Sequence, residues 1–409
     1  MTTVANSHLS AAKSAKNDEF YTQWADIERE MNAYLEYNPD VFRDKVVLLP
    51  CDDPEWSNFA KFFALHFMEY GIKKLISTSY APDSNPAGAF HEPTDFELDD
   101  PKFDPKRTRV NGKKFTLEPK DINDDGIVNI DDLQWEYLES DGDFRSPEVT
   151  ALRDEADIVI TNPPFSLFRD FTAWVVAADK KFSVIANSNA TTYREIFPLI
   201  KANRMWKGAT ANATDMVFGV PKGAPVKDSD RLKAEKLGYP PNDEYDYTRL
   251  GNSCWFTNLD HGRRHQPLQL MSTEDNIKFS RHKEVRSVGY RKYDNYDAIE
   301  VPFIDAIPSD YDGVMGVPIT FLDKHDPDQF EILGATQRGC HADVPDFKKY
   351  NDYREMRQDG TPTGSSGNKT NENANIAGND GKKNYFINDE GHVIQSAYQR
   401  IFIRRKDAS

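Results

Sequence analysis

Apolar residues first become periodic at Trp24, Ile27, Met31, Tyr34 and Leu35. This spacing of threes and fours predicts an amphipathic helix, with Thr22 ahead of it as N-cap. KVVLLPCDDP then gathers apolar residues into a short run closed by Pro50, and the aromatic-rich SNFAKFFALHFMEYG and a second run, KKLISTSY, follow. That order reads strand, turn, helix, glycine stop, strand. Residues 81 to 145 interrupt the rhythm with proline, glycine and acids. It resumes with DIVITNPP as a strand, FSLFRDFTAWVVAAD as a helix, KFSVIANS as a strand and TTYREIFPLIKA as a helix. Such alternation predicts an α/β fold: a doubly wound, mostly parallel sheet with helices on both faces and ligands at the carboxyl ends of its strands. Cys51 to Pro54 and Asn162 to Phe165 both fall at such ends.

Beyond residue 210 the pattern turns strand-rich, with TDMVFGV, NSCWFTNL and QPLQL, and then irregular. Residues 355–383 are polar and of low complexity, a loop or linker, and the alternation in AYQRIFIRRK predicts a closing strand within 384–409. Residues 1–16 read as a disordered arm. The expected organisation is therefore a catalytic-type domain over 17–220, carrying an acidic insert at 81–142, then the rest of the sheet and a strand-rich region over 221–354.

Composition narrows the class. With 409 residues and 38% hydrophobic content the chain can build a real core. No apolar run nears the ~20 residues of a membrane helix and no leader is visible, so the expectation is a soluble protein with no membrane partner. Cys51, Cys254 and Cys340 have no metal or redox spacing and suit a reducing compartment, hence the cytoplasm. A net charge of -16 excludes a molecule whose whole surface holds nucleic acid. Charge is unevenly spread, however. Ten acids face one Lys between Leu117 and Asp143, whereas eight Lys or Arg face three acids between His261 and Lys292. One basic face is possible.

The two prolines of DIVITNPPFSLF end a strand abruptly, because proline has no N–H to continue a ladder. Asn-Pro-Pro-aromatic at that place suits the activation of an exocyclic amine. The amino nitrogen of adenine is conjugated with its ring and is a poor nucleophile until its lone pair is localised. The side-chain oxygen of Asn162 and the carbonyl of Pro163 can each take one N–H of such an amine. Pro163 and Pro164 lock the turn, and Phe165 offers a face to a flipped-out base. A strand merely stopped by Pro-Pro, with Phe165 in the core, is the plain alternative. Pro50-Cys51 invites comparison with the nucleophile of cytosine-C5 methyltransferases, but there the Pro-Cys follows a cofactor loop, and here it would itself be that loop.

KNDEFYTQ, CDDPEWSNFAKFFALHF, GDFRSPEV, ADIVITNPPFSLFRDF, GNSCWFTNL and YDGVMGVPITFLDKHDPDQFEILG together resemble the adenine-specific DNA methyltransferases of EcoRI type, over residues 16 to about 335. The resemblance implies a Rossmann-like methyltransferase sheet, S-adenosylmethionine as donor, direct methyl transfer to N6 of adenine in double-stranded DNA, and a C-terminal target-recognition region. It implies a restriction-modification setting in a bacterial or phage-infected cell; a monomer is a separate expectation, which the sequence itself does not decide. By position, Tyr21 and Thr22 would lie against the cofactor, Cys51, Asp52 and Asp53 would form the turn after the first strand, and Asp143 and Phe144 would hold the cofactor's adenine. Asn162 would border cofactor and target alike. ISTSY has no acid to end the second strand and hold the ribose, so Asp52 or Asp53 takes that expectation. Related Asn-Pro-Pro-aromatic enzymes modify RNA or protein glutamine, and a non-catalytic calcium-stabilised DNA-binding protein of this fold is a further alternative.

DINDDGIVNIDD sets Asp121, Asn123 and Asp125 at positions 1, 3 and 5 of a calcium loop, with Gly126 at 6, Asn129 at 9 and Asp132 at 12. It resembles the half-EF-hand loop of dockerin modules. Structural calcium is the expectation drawn from it, and an acidic Asx-turn insert the alternative. The basic stretch from His261 to Lys292, interleaved with Tyr290, is the candidate DNA-facing segment.

Overall fold

The computed structural model describes residues 20–54, 57–81, 98, 100–210, 216–223, 226–243, 245–250, 252–336, 344, 347–365, 371, 373–379, 381, 383–397 and 399–406. The arm at 1–16 and Cys340 lie outside them. The chain divides into two compact units, one drawn from 1–190 and 207–262, the other from 191–206 and 263–409.

In the first unit β1 (Tyr21–Thr22) precedes α1 (Trp24–Tyr37), which buries Ile27, Met31 and Tyr34, the expected apolar stripe. Thr22 does not cap this helix. Gln23 holds the cap position without a side-chain bond, and Thr22 is drawn into a strand opposite Phe218. The βαβ unit is β2 (Val46–Leu49), α2 (Asn58–Leu65) and β3 (Lys74–Ser79), with Val47 beside Leu75 in parallel register. Ser57 starts α2 by accepting from the Phe59 amide at 3.0 Å.

Then come β4 (Lys113–Leu117), β5 (Gln134–Tyr137), α3 (Pro147–Glu155), β6 (Ile158–Thr161), α4 (Phe168–Ala177), β7 (Lys181–Asn187), β8 (Trp206–Lys207), β9 (Val217–Pro221), β10 (Tyr245–Arg249) and β11 (Ser253–Thr257). The large sheet runs β5-β4-β3-β2-β6-β7-β11-β8, and β1-β9-β10 forms a small one. The central neighbours β3-β2-β6-β7 are parallel, while β4, β5 and β11 pair antiparallel. The sheet is thus mixed, and the expectation of a mostly parallel one is corrected. The acidic insert supplies the β4–β5 hairpin that extends one edge: the turn makes β5 antiparallel to β4, and β4 itself runs antiparallel to β3. The central β2 and β6 are buried at every residue, as continuous apolar runs should be.

The second unit holds α5 (Thr273–Phe279) and a five-stranded sheet, in the order β12 (Arg291–Lys292), β13 (Ile299–Glu300), β14 (Met315–Pro318), β20 (Arg400–Arg405), β15 (Phe330–Ala335). A four-stranded antiparallel sheet follows the order β16 (Tyr353–Met356), β18 (Tyr385–Asn388), β19 (Val393–Ser396), β17 (Asn375–Ala377). QPLQL makes no strand. The Gln329 side chain acts as its ladder partner instead, its Oε1 accepting from the Leu268 amide at 2.7 Å and its Nε2 donating to the Leu268 carbonyl at 2.9 Å.

Candidate active site

The carboxyl ends of β3, β2 and β6 lie side by side, and the turn after β2 sits among them. Asp52, 4% exposed, donates its amide to the Thr78 carbonyl at 3.0 Å, and Ser77 Oγ donates back to the Asp52 carbonyl. One carboxylate oxygen accepts from Ser57 Oγ and the other from Thr161 Oγ1, both at 2.6 Å. Burial pushes this carboxyl up to about 6, against the pull of the two hydroxyls, with the charge of Asp53 adding to the rise. Asp52 therefore ties three elements of the site together. Burial and the Asp52 charge push the Cys51 thiol up, which leaves it a poor nucleophile.

β6 ends in Asn162. Pro163 is buried, and Phe165 opens a single tight turn, Phe165–Leu167, closed by the Leu167 amide on the Pro164 carbonyl at 2.9 Å. Asn162 Nδ2 donates to the Phe20 carbonyl at 2.6 Å, which fixes the plane of the side-chain amide. Its Oδ1 is buried and accepts no hydrogen bond from any described residue. An orphaned buried acceptor costs about 1–3 kcal/mol, so one at a locked turn is a functional signal. Phe165 stacks on Phe20 with centroids 5.6 Å apart and meets Phe218 edge-on at 6.3 Å.

Phe20 thus belongs to the candidate site through both its carbonyl and its ring. Its position 142 residues before Asn162 gives no local sequence signal. Next to it, Tyr21 pairs with Gly219, and the Thr22 carbonyl accepts from Asn58 Nδ2 at 2.8 Å. The hydroxyls of Thr22 and Thr78 are buried and unpartnered among the described residues. Thr78 and Thr161 were invisible in the sequence for the same reason as Phe20: their partner, Asp52, lies at the end of another strand.

Asp143 reaches the same strand ends through Gly142, which adopts a left-handed φ of +85° and touches the Ser79 backbone so closely that a Cβ would collide with the Ser79 carbonyl. Arg145 clamps the Asp143 carboxylate with its Nε at 2.9 Å and its amide at 2.8 Å, and holds it below the usual carboxylate range. The Phe144 ring is buried edge-on against Phe171 and Trp174.

The loop at 121–132 has other employment. Asp132 accepts from the amides of Ile122 at 2.7 Å, Asn129 at 3.0 Å and, more weakly, Asn123 at 3.4 Å. Asp121 accepts from Gly126, Asp125 from Ile127, Asn123 from Asp125 and Asn129 from Asp131. No group of three metal-ligating His, Cys, Asp or Glu converges among the described residues. The calcium expectation is corrected accordingly: the alternating acids serve a chain of Asx turns, and Val128, Ile130 and Leu133 pack on the core of the unit. In the basic stretch, Arg264 is buried over the Trp206 ring and Arg291 is spent on the Ala377 carbonyl, whereas Arg263, Lys278, Arg281, Lys283, Arg286 and Lys292 are exposed.

The sequence profile described as "Adenine-specific methyltransferase EcoRI" matches residues 8–406. The chain belongs to this family. It is 40% identical over 333 residues to the Type II methyltransferase M.EcoRI of Escherichia coli, a match covering 81% of this chain and 89% of that one. It is 33% identical over 326 residues to the Type II methyltransferase M.MpnI of Mycoplasma pneumoniae, covering 80% and 85%. No solved structure matches. Membership makes the chain a site-specific adenine DNA methyltransferase of the restriction-modification class. Among the described residues no helix is long and apolar enough to cross a membrane.

Proposed function

We propose that the protein methylates N6 of adenine within one specific sequence of double-stranded DNA, with the target base flipped out of the duplex and S-adenosylmethionine as donor. The observation that carries this reading is Asn162 Oδ1, buried and without a partner on an amide fixed by Phe20. The cofactor fits the strand ends beside it, where the unpartnered hydroxyls of Thr22 and Thr78 are polar groups in search of a ligand. Tyr21, Thr22, Cys51, Asp52, Asp53, Asp143 and Phe144 would hold it, Phe144 mainly by packing behind Asp143. When bound, the cofactor supplies an electrophilic sulfonium methyl.

The rest is the work of the chain. Asn162 Oδ1 and the Pro163 carbonyl accept hydrogen bonds from the two N–H groups of N6, draw its lone pair out of conjugation with the ring and aim it at the methyl, so that N6 gains the methyl, keeps one hydrogen and gives up one proton to solvent. Pro163 and Pro164 keep that carbonyl in place without rearrangement, which is where electrostatic preorganisation lowers a barrier. Phe165 stacks on the flipped base. No covalent enzyme intermediate is needed, in keeping with the raised Cys51 thiol. The protein acts as a monomer in the cytoplasm.

The test is to offer methyl-labelled cofactor together with duplex DNA, RNA and mixed protein acceptors. Label is expected in DNA alone. Label in RNA or protein would move the same chemistry to another acceptor, and DNA binding without any label would leave a non-catalytic protein of this fold.

A further inference from the structure

In the second unit, α5 is capped by Ser272 Oγ, which accepts from the Asp275 amide at 3.0 Å, and the chain beyond it folds back, with the Ser287 amide on the Ile277 carbonyl at 2.8 Å. Arg281 projects from this short folded segment with its side chain 78% exposed. It is nevertheless held. Its Nη2 lies 2.7 Å from one oxygen of Asp305, the other oxygen of Asp305 lies 2.8 Å from His282 Nε2, and the His282 ring stacks on Phe303 at 3.6 Å and 6°. Together with Thr320 and Lys324 these residues line an open cleft of about 380 Å³.

Exposed arginines normally sample many rotamers and lose that freedom on binding. Here a carboxylate, itself steadied by a stacked imidazole, presents the guanidinium as a fixed planar fork. The same carboxylate decides what the fork can meet. A phosphate brought to Arg281 would face the negative charge of Asp305, whereas a neutral base edge with two acceptors would not. In the major groove that edge is the O6/N7 pair of guanine. Lys324 is exposed and makes no ion pair with any described residue, so it suits the neighbouring phosphate.

We infer that Arg281, oriented by Asp305 and His282, reads a guanine in the DNA target, and that Lys324 holds the backbone beside it. The inference rests on duplex DNA being the substrate. It makes Arg281 and Lys324 contacts to DNA, and Asp305 and His282 positioning residues.

The experiment is methylation of a randomised duplex library by the full-length wild type and by Arg281→Lys, Asp305→Asn and Lys324→Ala, with sequencing of the methylated positions and melting temperatures alongside. The wild type should yield one motif. Arg281→Lys keeps the charge but loses the fork, and should lose about 10- to 100-fold of its selectivity at a single guanine while keeping it elsewhere. Asp305→Asn should relax that same position by less. Lys324→Ala should weaken all sequences alike and reduce the slope of log affinity against log salt by about one. Should Arg281→Lys melt early, Arg281→Gln carries the same expectation. An unchanged motif in the Arg281 variants, or a uniform loss over all sequences, would overturn the inference. Absence of N6-methyladenine with the wild type would instead overturn the proposed function.

Discussion

Two polar turns of the first unit, the one at Asn162 and the loop at 121–132, are built from the same kinds of side chain and come out opposite. In the loop, the Asx side chains accept backbone amides of the loop itself, with Asp121 Oδ1 the one buried oxygen left without a described partner, and those bonds draw the Asp132 carboxyl below its ordinary range. At the strand ends, Asp52 is buried with only hydroxyls for company and is pushed up to about 6, while Asn162 Oδ1, Thr22 Oγ1 and Thr78 Oγ1 have nothing to bond. A polar group that is satisfied locally holds a loop in shape. Three such groups, buried and unsatisfied around one set of strand ends, mark a place for something from outside the chain. Acid content alone does not tell the two apart, since the loop is the richer in carboxylates.

The contrast can be broken first at Asn162. Asn162→Ala should lower the single-turnover rate of methyl transfer by about 10²- to 10⁴-fold, the loss of one preorganised acceptor, with cofactor affinity within about threefold of wild type. A variant keeping more than about a third of the rate would place Asn162 among merely structural turns.

Asp52 gives the next effect. Its folded-state value is raised, from 3.8 to about 6, so its contribution is fully present below the unfolded value and is lost as pH rises through the folded one. Between about pH 4 and 6 the wild type should lose ~3 kcal/mol of stability relative to Asp52→Asn, which does not titrate there. Urea unfolding of both proteins across that window measures it, and parallel curves would mean that Asp52 is not desolvated.

The loop should answer more weakly and without touching chemistry. Asp132→Ala removes the acceptor of three amides and should cost about 1–3 kcal/mol of stability with an unchanged rate for the folded enzyme, by thermal melts and single-turnover assays on the same samples. The smallest effect is expected from chelation: EDTA should leave the melting temperature where it is, and a fall of several degrees would return the loop to the metal-binding reading.

Much of this was legible along the chain because the elements concerned are local. The stop at Asn162–Phe165 is written in two prolines after an apolar run, and α1 in a spacing of threes and fours. What was misread depends on distant partners or shared spacings. Thr22 has the composition of a helix cap, but Phe218, almost two hundred residues on, recruits it into a strand. The β4–β5 hairpin hides within an acidic stretch, yet β4 alternates buried and half-buried positions and pairs with β3, and β5 pairs with β4. Asp121, Asn123 and Asp125 have calcium-loop spacing because Asx turns repeat every two residues as well. Phe20 lies in the quoted KNDEFYTQ stretch, but its role had no local signal, since its carbonyl carries no residue type and its ring meets Phe165 and Phe218 far along the chain.

The central claim is that the Asn162 turn serves the exocyclic amine of adenine. The most direct measurement is to methylate duplex DNA with labelled cofactor, using wild type and Asn162→Ala in parallel, and to digest the product to nucleosides. All wild-type label should elute as N6-methyladenine, and the variant should give almost none in the same time. Label in 5-methylcytosine, or N6-methyladenine formed equally well without the Asn162 side chain, would contradict it.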